Sequence, residues 1–468
     1  MLSYLNQGKS FYRSLLMLSL PIVLQNLVTT SLAMVDTFMV GMLGETALAG
    51  VTLANLPIFV IQFLVFGIQS GSSVLISQYW GKRDIDTINR VVGVAAFVAG
   101  GISVLFALAL FFFPTQIMGL LTNDAVLRDI AARYGRIVGF SYIFNSLTGV
   151  YVGAHRSMEN PKLGLIVFSI SMCTNTFLNW IFIFGNLGAP RLEVEGAALA
   201  TLISRVIEFL VMVLYAAGNK RFRLRPALVL HPGREISRKF LKYATPVVLN
   251  ETLWGLGTSL YPTIMGHMTG STEILAAYAV AGNVDKFCTV AVLAVGTTSA
   301  IIIGMEIGSG RSSRAYEVGK ALVTVSIGLG LAIGVVMLLT TYFVMEPFIY
   351  PIYPAFQNCP GAARITTVML TVAALFLPIR SFNSTAIVGV LRGGGDVRFA
   401  TTIDLLPLWA VALPLAALAG LVARLDILWV YLAIEAENVV KFFLGILRFR
   451  SGNWIHDVTR TSYRKERS

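Results

Sequence analysis

The sequence is poor in charged residues, and this shortage excludes an ordinary soluble globular protein. Only 13% of its 468 residues are charged, about half the share that is typical of soluble domains. Charge-free runs recur along the whole chain, for example over residues 46–81 and 91–123. Each of these runs is longer than the roughly 20 residues that cross a bilayer. The chain is therefore predicted to be a polytopic membrane protein.

Cysteine and histidine are also scarce, which argues against a disulfide framework, a metal centre and a zinc enzyme. Cys173, Cys288 and Cys359 are far apart and are predicted to be packing residues. The four histidines show no H-E-x-x-H spacing, and Gly308-Ser309-Gly310-Arg311 lacks the lysine of a phosphate-binding loop. No pairing of a nucleophile with a base is evident. We expect neither enzymatic activity nor a cofactor.

What the sequence does contain is a regular series of apolar segments separated by charged or Gly/Pro breaks. These predict an all-α integral membrane fold of twelve transmembrane helices in two pseudo-symmetric six-helix bundles. The helices are predicted near residues 14–42, 46–80, 90–113, 126–154, 161–187, 194–218, 240–268, 273–307, 316–345, 362–391, 398–422 and 427–447.

The net charge of +12 reports membrane topology rather than a nucleic-acid partner, because the basic residues lie between the apolar runs. If both termini are cytoplasmic, the inner segments hold 26 Lys and Arg and the outer segments hold six. A bias of this size sets orientation, so both termini are predicted to be cytoplasmic. The predicted organisation is an N-terminal lobe at 1–218, a basic linker at 219–239, a C-terminal lobe at 240–450 and a cytoplasmic tail at 451–468.

The two halves resemble each other in sequence. Residues 18–25 (LSLPIVLQ) recur about 225 positions later as 243–250 (YATPVVLN), and Arg156 after helix 4 corresponds to Arg392 after helix 10. Six spans per repeat give both copies the same orientation and place a cavity between them. This arrangement suits a carrier with alternating access, although channels and lipid scramblases also contain internal duplications.

Asp36 is the leading candidate for a functional residue. It lies in helix 1 about 22 uncharged residues after Arg13 and has no cation four residues away. An ionisable group at bilayer depth is costly and indicates function. Burial favours the protonated carboxyl and a bound cation favours the ionised form, so one carboxylate can exchange H⁺ or Na⁺. The alternative is that Asp36 only accepts hydrogen bonds from neighbouring helices.

Helices 5 and 6 supply polar side chains that could complete this site. Asn175 and Asn179 lie one turn apart on helix 5, and Thr201 lies on helix 6 among small residues. Their oxygens together with Asp36 would suit a hard cation such as Na⁺, although the asparagines could instead cross-link helices. The corresponding positions of the second half are Tyr261, Val411 and Leu415. This asymmetry favours function, since a cluster needed only for packing should occur in both halves.

In the second half, Glu251 and Trp254 lie one turn apart on helix 7 and form a candidate substrate or proton site with Arg380 and Asn283. A carboxylate beside an aromatic ring attracts organic cations, whereas a glutamate near the cytoplasmic end of a helix could simply be hydrated. Arg380 is an isolated cation in helix 10 that could pair with Asp285 or Glu251. The remaining charged residues are expected to form local pairs, namely Asp285 with Lys286, Glu437 with Lys441 and Arg205 with Glu208.

Three short motifs carry a resemblance to a known family. They are Val35-Asp36-Thr37 with Val40-Gly41 in helix 1, Arg156 to Asn160 before Pro161, and Leu391-Arg392-Gly393-Gly394-Gly395-Asp396 after helix 10. With the duplicated twelve spans, the chain resembles the multidrug and toxic compound extrusion (MATE) family over essentially its whole length.

The resemblance implies two bundles in a V around a central cleft and export of amphipathic, often cationic compounds in exchange for Na⁺ or H⁺. It also implies that Asp36 is the cation site of the first lobe, with Asn175, Asn179 and Thr201 at the matching positions of helices 5 and 6. The implied partners are small amphipathic molecules and the lipid bilayer. The expected protein is a monomer in the plasma membrane.

The chain departs from the family pattern at two places. Some members have an aspartate where this chain has Asn179, so the choice between Na⁺ and H⁺ stays open. Some also carry a glutamate in helix 7 and an aspartate in helix 10, whereas here Glu251 comes about one turn early and the helix 10 position aligns near Ser381. The alternative functions are a flippase for a lipid-linked sugar, for which Arg380 alone supplies little positive charge, and an uncoupled channel or receptor, which lacks a ring of acids.

Overall fold

Twelve long helices account for most of the chain. The computed structural model describes residues 3–352, 356–357 and 360–460, so Cys359 and the last eight residues of the predicted tail lie outside the described residues. The long helices are α1 (Lys9–Gly41), α2 (Glu45–Gly81), α3 (Ile85–Phe112), α4 (Ala125–Ser157), α5 (Lys162–Phe182), α6 (Glu193–Gly218), α7 (Arg234–Gly266), α8 (Ser271–Gly308), α9 (Ser312–Ile349), α10 (Gly361–Leu391), α11 (Val397–Val422) and α12 (Ile427–Arg450). Each corresponds to one of the twelve predicted segments.

Aspartate side chains fix the starts of three helices. The carboxylates of Asp84, Asp124 and Asp426 accept backbone N–H groups from the first turns of α3, α4 and α12 respectively. Such caps satisfy donors that have no partner within the helix. The predicted starts of these helices at 90, 126 and 427 therefore come close to the observed ones, with α3 beginning five residues early at Ile85.

Ten of the twelve helices are both long and apolar enough to cross a membrane. The other two, α7 and α12, contain 33 and 24 residues. At a rise of 1.5 Å per residue even the shorter one is about 36 Å long, enough to span the hydrocarbon core. Both carry a larger share of charged residues than the other ten, and α12 contains Glu435, Glu437 and Lys441 within its length.

The chain divides into two compact units. The C-terminal unit consists of Met1–Ser19 and Asn250–Ser468, and the N-terminal unit consists of Leu20–Leu249. The divisions fall inside α1 and α7, two residues before Pro21 and four residues after Pro246. These two prolines, which have no backbone N–H to donate within the helix, occupy corresponding positions of the repeated helices.

The same helix pairs pack together in both units, as expected for a duplicated chain. In the N-terminal unit α4 packs against α2, α3 and α6, and in the C-terminal unit α10 packs against α8, α9 and α12. The pairs α5–α6 and α11–α12 also correspond. The fourth helix of each six-helix set is therefore the central one.

Small residues bring α9 and α10 close together. A Cβ atom on Gly330 would meet the Ser381 side chain and the Leu377 carbonyl, and one on Gly334 would meet the Ala374 carbonyl. Ser381 Oγ donates to the backbone carbonyl of Ser326 at 2.7 Å. Gly330 and Gly334 thus serve close helix packing.

The glycine-rich loop after α10 is covered by the segment that follows α12. Trp454 is fully buried, lies against Gly394 and stacks on Phe449 with ring centroids 5.8 Å apart. The His456 backbone N–H donates to the Gly394 carbonyl at 2.7 Å. Gly395 has φ +90°, a conformation that a side chain would strain. The loop is therefore a fixed turn.

Candidate functional site

Four polar residues that the sequence singled out come together in the N-terminal unit. Asn179 Nδ2 of α5 donates to Asp36 Oδ1 of α1 at 2.8 Å and to Asn175 Oδ1 at 3.2 Å. Asn175 Nδ2 in turn donates to Thr201 Oγ1 of α6 at 3.2 Å. Three helices therefore contribute to one continuous chain of side-chain hydrogen bonds.

The sequence of α5 and α6 explains how these side chains meet. Ser171, Asn175 and Asn179 recur every fourth residue, so they form one buried polar stripe along α5. On α6, the backbone of Gly196 lies against the Phe182 carbonyl where a Cβ would clash. This close approach sets the distance between the two helices and allows the short amide of Asn175 to reach Thr201.

The cluster is rich in oxygen atoms that can bind a cation or a proton. Asn179 Oδ1 is buried and has no hydrogen-bond partner among the described residues. Rotation of its amide would turn this oxygen towards Asp36 and give an all-oxygen set of the kind that hard cations prefer. A proton on Asp36 would instead make the carboxyl a donor. Asn179 contacts Asp36 directly and so responds to either event.

Arg205 and Glu208 extend the same polar layer along α6. They form the predicted i,i+3 ion pair, and Arg205 Nη1 also lies 3.4 Å from Ser171 Oγ on the polar stripe of α5. Glu208 is fully buried. The pair is neutral overall, which leaves Asp36 as the carboxylate of the cluster without an ion-pair partner among the described residues.

Among the described residues, no hydrogen bond or ion pair joins the second-half candidates Glu251, Trp254, Asn283 and Arg380 to one another. Glu251 Oε1 accepts from Arg392 Nη1 at 2.7 Å, so it is paired rather than simply hydrated. Arg380 donates to both oxygens of Asp285, at 2.8 and 2.7 Å, which is one of the two pairings considered from sequence. Trp254 is 38% exposed, and Asn283 is also exposed.

The local pairings predicted from sequence are confirmed for two of three pairs. Glu437 Oε2 lies 3.6 Å from Lys441 Nζ, as predicted, and Arg205 pairs with Glu208. Asp285 was expected to pair with its neighbour Lys286, and this was wrong. The two-pronged guanidinium of Arg380 binds Asp285 in a bidentate geometry that a lysine cannot offer.

Sequence reasoning missed a second polar group in the C-terminal unit. Lys441 Nζ lies 3.0 Å from Asp404 Oδ1 of α11, and Asn250 Nδ2 of α7 donates to Asp404 Oδ2 at 2.8 Å. Glu435 of α12 is 5% exposed and accepts a hydrogen bond from Asn438 Nδ2 at 2.9 Å. The rule that identified Asp36, an isolated ionisable residue in an apolar span, would also have identified Asp404.

Comparisons with known proteins agree with this architecture. The MatE family model matches residues 21–181 and 246–418. The chain is 26% identical over 448 residues to the uncharacterized transporter YisQ of Bacillus subtilis, covering 94% of this chain and 95% of the relative. It is 22% identical over 443 residues to the probable multidrug resistance protein NorM of Thermotoga maritima, covering 94% and 93%.

Solved structures confirm the predicted twelve-helix fold. The Vibrio cholerae MATE transporter VcmN in its bent form superposes with a TM-score of 0.79 at 20% identity over 95% of this chain and 97% of that chain. A MOP superfamily transporter from Pyrococcus furiosus gives 0.83 at 19% identity over 98% and 99%. The relatives named as multidrug resistance proteins support efflux transport. The chain belongs to the multidrug and toxic compound extrusion (MATE) family, whose members are membrane transporters and not enzymes.

Proposed function

We propose that this protein is a secondary active antiporter that exports amphipathic, often cationic compounds in exchange for H⁺ or Na⁺. The observation that carries the exchange step is the 2.8 Å contact between Asn179 Nδ2 and Asp36 Oδ1. This contact links Asp36, a carboxylate with no ion-pair partner among the described residues, to the buried asparagine side chains of α5. Binding or loss of one positive charge at Asp36 would therefore change the hydrogen bonding of three helices.

Exchange requires that the ion and the substrate favour different states of the carrier. Binding of H⁺ or Na⁺ at Asp36 from outside weakens substrate binding and favours the outward-facing state, and release of the ion inside resets the carrier. A ligand shifts such an equilibrium only through its differential affinity for the two states. In this proposal the difference in affinity comes from the residues that reorganise when Asp36 changes charge, namely Asn175, Asn179 and Thr201.

The proposal also covers the membrane topology, the oligomeric state and the location of the protein. Both termini lie in the cytoplasm and the protein is a monomer in the plasma membrane, with lobes at 1–218 and 240–450 joined by the basic linker at 219–239. In this orientation the inner segments hold 26 Lys and Arg and the outer segments hold six, and this bias supports the proposal. The Arg-rich linker suits the anionic cytoplasmic surface of the membrane.

Efflux of a fluorescent cationic dye from proteoliposomes tests the proposal. A Na⁺ gradient and a pH gradient are imposed separately on wild type, Asp36→Asn and the matched control Asp129→Asn, whose side chain is 66% exposed. We expect one gradient to drive efflux in wild type and in the control. The same gradient should drive none in Asp36→Asn, although this variant reaches the membrane in equal amount.

Two results would contradict the proposal. Normal gradient-driven efflux by Asp36→Asn would remove Asp36 from the mechanism. Absence of transport of several dyes by folded wild type, under either gradient, would favour the alternative of a flippase for a lipid-linked sugar. The ion pairs of Arg380, Arg392 and Lys441 with carboxylates weigh against that alternative, because a pyrophosphate group needs cations that are not already neutralised.

A further inference from the structure

The buried charges of the C-terminal unit are not balanced. Within the described residues of this unit, eleven Asp, Glu, Arg and Lys side chains of α7, α8, α10, α11 and α12 and of the glycine-rich loop are at most 23% exposed. The carboxylates are Glu251, Asp285, Glu306, Asp396, Asp404, Glu435 and Glu437, and the cations are Arg380, Arg392, Lys441 and Arg448. Seven acids therefore face four bases.

Each of the four cations already has a close carboxylate partner. The pairs are Arg392 with Glu251 at 2.7 Å, Arg380 with Asp285 at 2.7 Å, Lys441 with Asp404 at 3.0 Å and Arg448 with Asp396 at 2.7 Å. Glu306 pairs with the exposed Arg311 at 2.7 Å. Glu437 approaches Lys441 only to 3.6 Å. In the part of the chain that the structure describes, Glu435 has no cationic nitrogen within 4 Å. Glu435 is thus the carboxylate in surplus.

Glu435 faces groups from four helices. Its own helix α12 contributes Asn438, which donates to it, together with Tyr431 one turn away and Glu437. The guanidinium of Arg380 and the carboxylate of Asp285 interact with it electrostatically from α10 and α8. Tyr261 on α7 also interacts with it electrostatically, and Tyr278 on α8 interacts with its neighbours Tyr431 and Asp285. Arg380 therefore stands between two carboxylates but binds only one of them directly.

A second observation points to a positively charged ligand in the same place. The Tyr261 hydroxyl is buried without a hydrogen-bond partner among the described residues, and Tyr261 is 4% exposed. Tyr261 interacts electrostatically with both Glu437 and Glu435. Asn383 Oδ1 is likewise unpartnered, while its amide nitrogen is bonded to Asn438. Buried oxygens of this kind normally meet a donor or a cation.

A proton satisfies these requirements better than a metal ion. An ionised carboxylate that is buried without a counter-charge is strongly unfavourable, and protonation removes the charge without needing space. A sodium ion at Glu435 would lie close to the Arg380 guanidinium and be repelled by it. A protonated Glu435 could also donate a hydrogen bond, which an ionised one cannot.

We propose that Glu435 binds a second exchangeable proton, in the C-terminal unit, in addition to the ion exchanged at Asp36. This inference rests on the antiporter function proposed above. The proton is held on the Glu435 carboxyl in one state of the carrier. It is released to water in the other state, where the ionised carboxylate shares the positive charge of Arg380 with Asp285.

Infrared difference spectroscopy between low and high pH tests proton binding without any transport step. Wild type in liposomes should show a C=O band of a protonated carboxylic acid that disappears at high pH. This component should be lost in Glu435→Gln, shifted in Glu435→Asp, and unchanged in Glu317→Gln, a surface control whose side chain is 47% exposed. Spectra of Glu435→Gln and Glu435→Asp that both match wild type would overturn the proposal.

Proton release on binding of ethidium, measured in weakly buffered solution, separates this inference from the proposed function. If Asp36 exchanges H⁺, release should fall by about half in Glu435→Gln, because one of two carboxyls no longer titrates. If Asp36 exchanges Na⁺, Glu435→Gln should abolish release, and adding Asp36→Asn should abolish it in either case. Full release by Glu435→Gln would contradict the second site and leave the antiporter intact. In a third outcome, the Glu435 band titrates but the protein releases no proton when ethidium is added. This outcome would contradict the antiporter function and leave the proton site intact.

Discussion

Arg392 and Glu251, which are 141 positions apart in the sequence, form a buried ion pair inside the C-terminal unit. Arg392 Nη1 donates to Glu251 Oε1 at 2.7 Å, and the Arg392 side chain is only 2% exposed. Arg392 belongs to the glycine-rich loop after α10, whereas Glu251 lies in α7. The motif that carries the family resemblance therefore also neutralises the helix 7 glutamate.

Removing one partner of this pair should destabilise the protein strongly. Arg392→Gln leaves the Glu251 carboxylate buried without its cation, and such a loss costs about 3 to 5 kcal/mol. The double variant Arg392→Gln with Glu251→Gln should recover part of that loss, because both charges are gone. Thermal unfolding in detergent measures the effect. Arg133→Gln, which breaks an exposed pair on α4, should cost at most about 1 kcal/mol, and an equal effect of the two single variants would contradict burial of the pair.

Asn179 should matter more for transport than Asn175. Asn179 donates directly to Asp36, whereas Asn175 donates to the neutral hydroxyl of Thr201. Hydrogen bonds to charged groups contribute about 1.5 to 3 kcal/mol and neutral ones about 0.5 to 1.5 kcal/mol. Initial rates of gradient-driven dye efflux should therefore fall about 10- to 100-fold in Asn179→Ala and about 2- to 10-fold in Asn175→Ala. The reverse order would mean that Asn179 is not the residue that responds to the charge of Asp36.

The helices and the first polar cluster could be predicted because both follow from local patterns. Apolar runs and their breaks locate all twelve helices, since only a helix satisfies its own backbone in a membrane. Asp36 and the four-residue spacing of Asn175 and Asn179 are visible in the same way. The sequence does not give the distance between α1 and α5. Isolated polar groups in apolar spans are energetically costly, however, and this cost favours contact between the polar side chains of the two helices.

The polar interior of the C-terminal unit could not be predicted by comparing the two halves. The positions that correspond to the Asp36 cluster are apolar or tyrosine there, so the comparison indicated a single polar site. Asp404 and Glu435 occupy positions that have no counterpart in that cluster. Their contacts join residues up to 154 positions apart, as for Asn250 and Asp404, and local spacing carries no information about such pairs.

Glycines of α9 provide a matched test of its packing against α10. A Cβ on Gly330 would lie 2.6 Å from the Ser381 Cβ and 2.8 Å from the Leu377 carbonyl oxygen, whereas one on Gly328 would meet nothing within 4 Å. Gly330→Ala should therefore destabilise the protein by about 1 to 3 kcal/mol through overpacking. Gly328→Ala should stabilise it by about 0.5 to 1 kcal/mol, since alanine is the better helix former. Thermal unfolding of the two variants compares them directly, and equal shifts would contradict the close α9–α10 contact.

The segment after α12 should stabilise the glycine-rich loop through Trp454. This side chain is fully buried, stacks on Phe449 and lies against Gly394, and its Nε1 donates to the Phe449 carbonyl at 3.1 Å. Trp454→Ala removes this contact and should cost about 3 to 5 kcal/mol, as for other buried aromatic residues. Limited proteolysis should then cut near residues 393–395 faster than in wild type. Trp429→Ala, at a position 57% exposed on α12, should leave that cleavage unchanged, because Trp429 lies at the start of α12 and the segment that covers the loop follows its end. Equal protection of the loop in Trp454→Ala and wild type would show that the glycine turn holds its conformation without the segment that covers it.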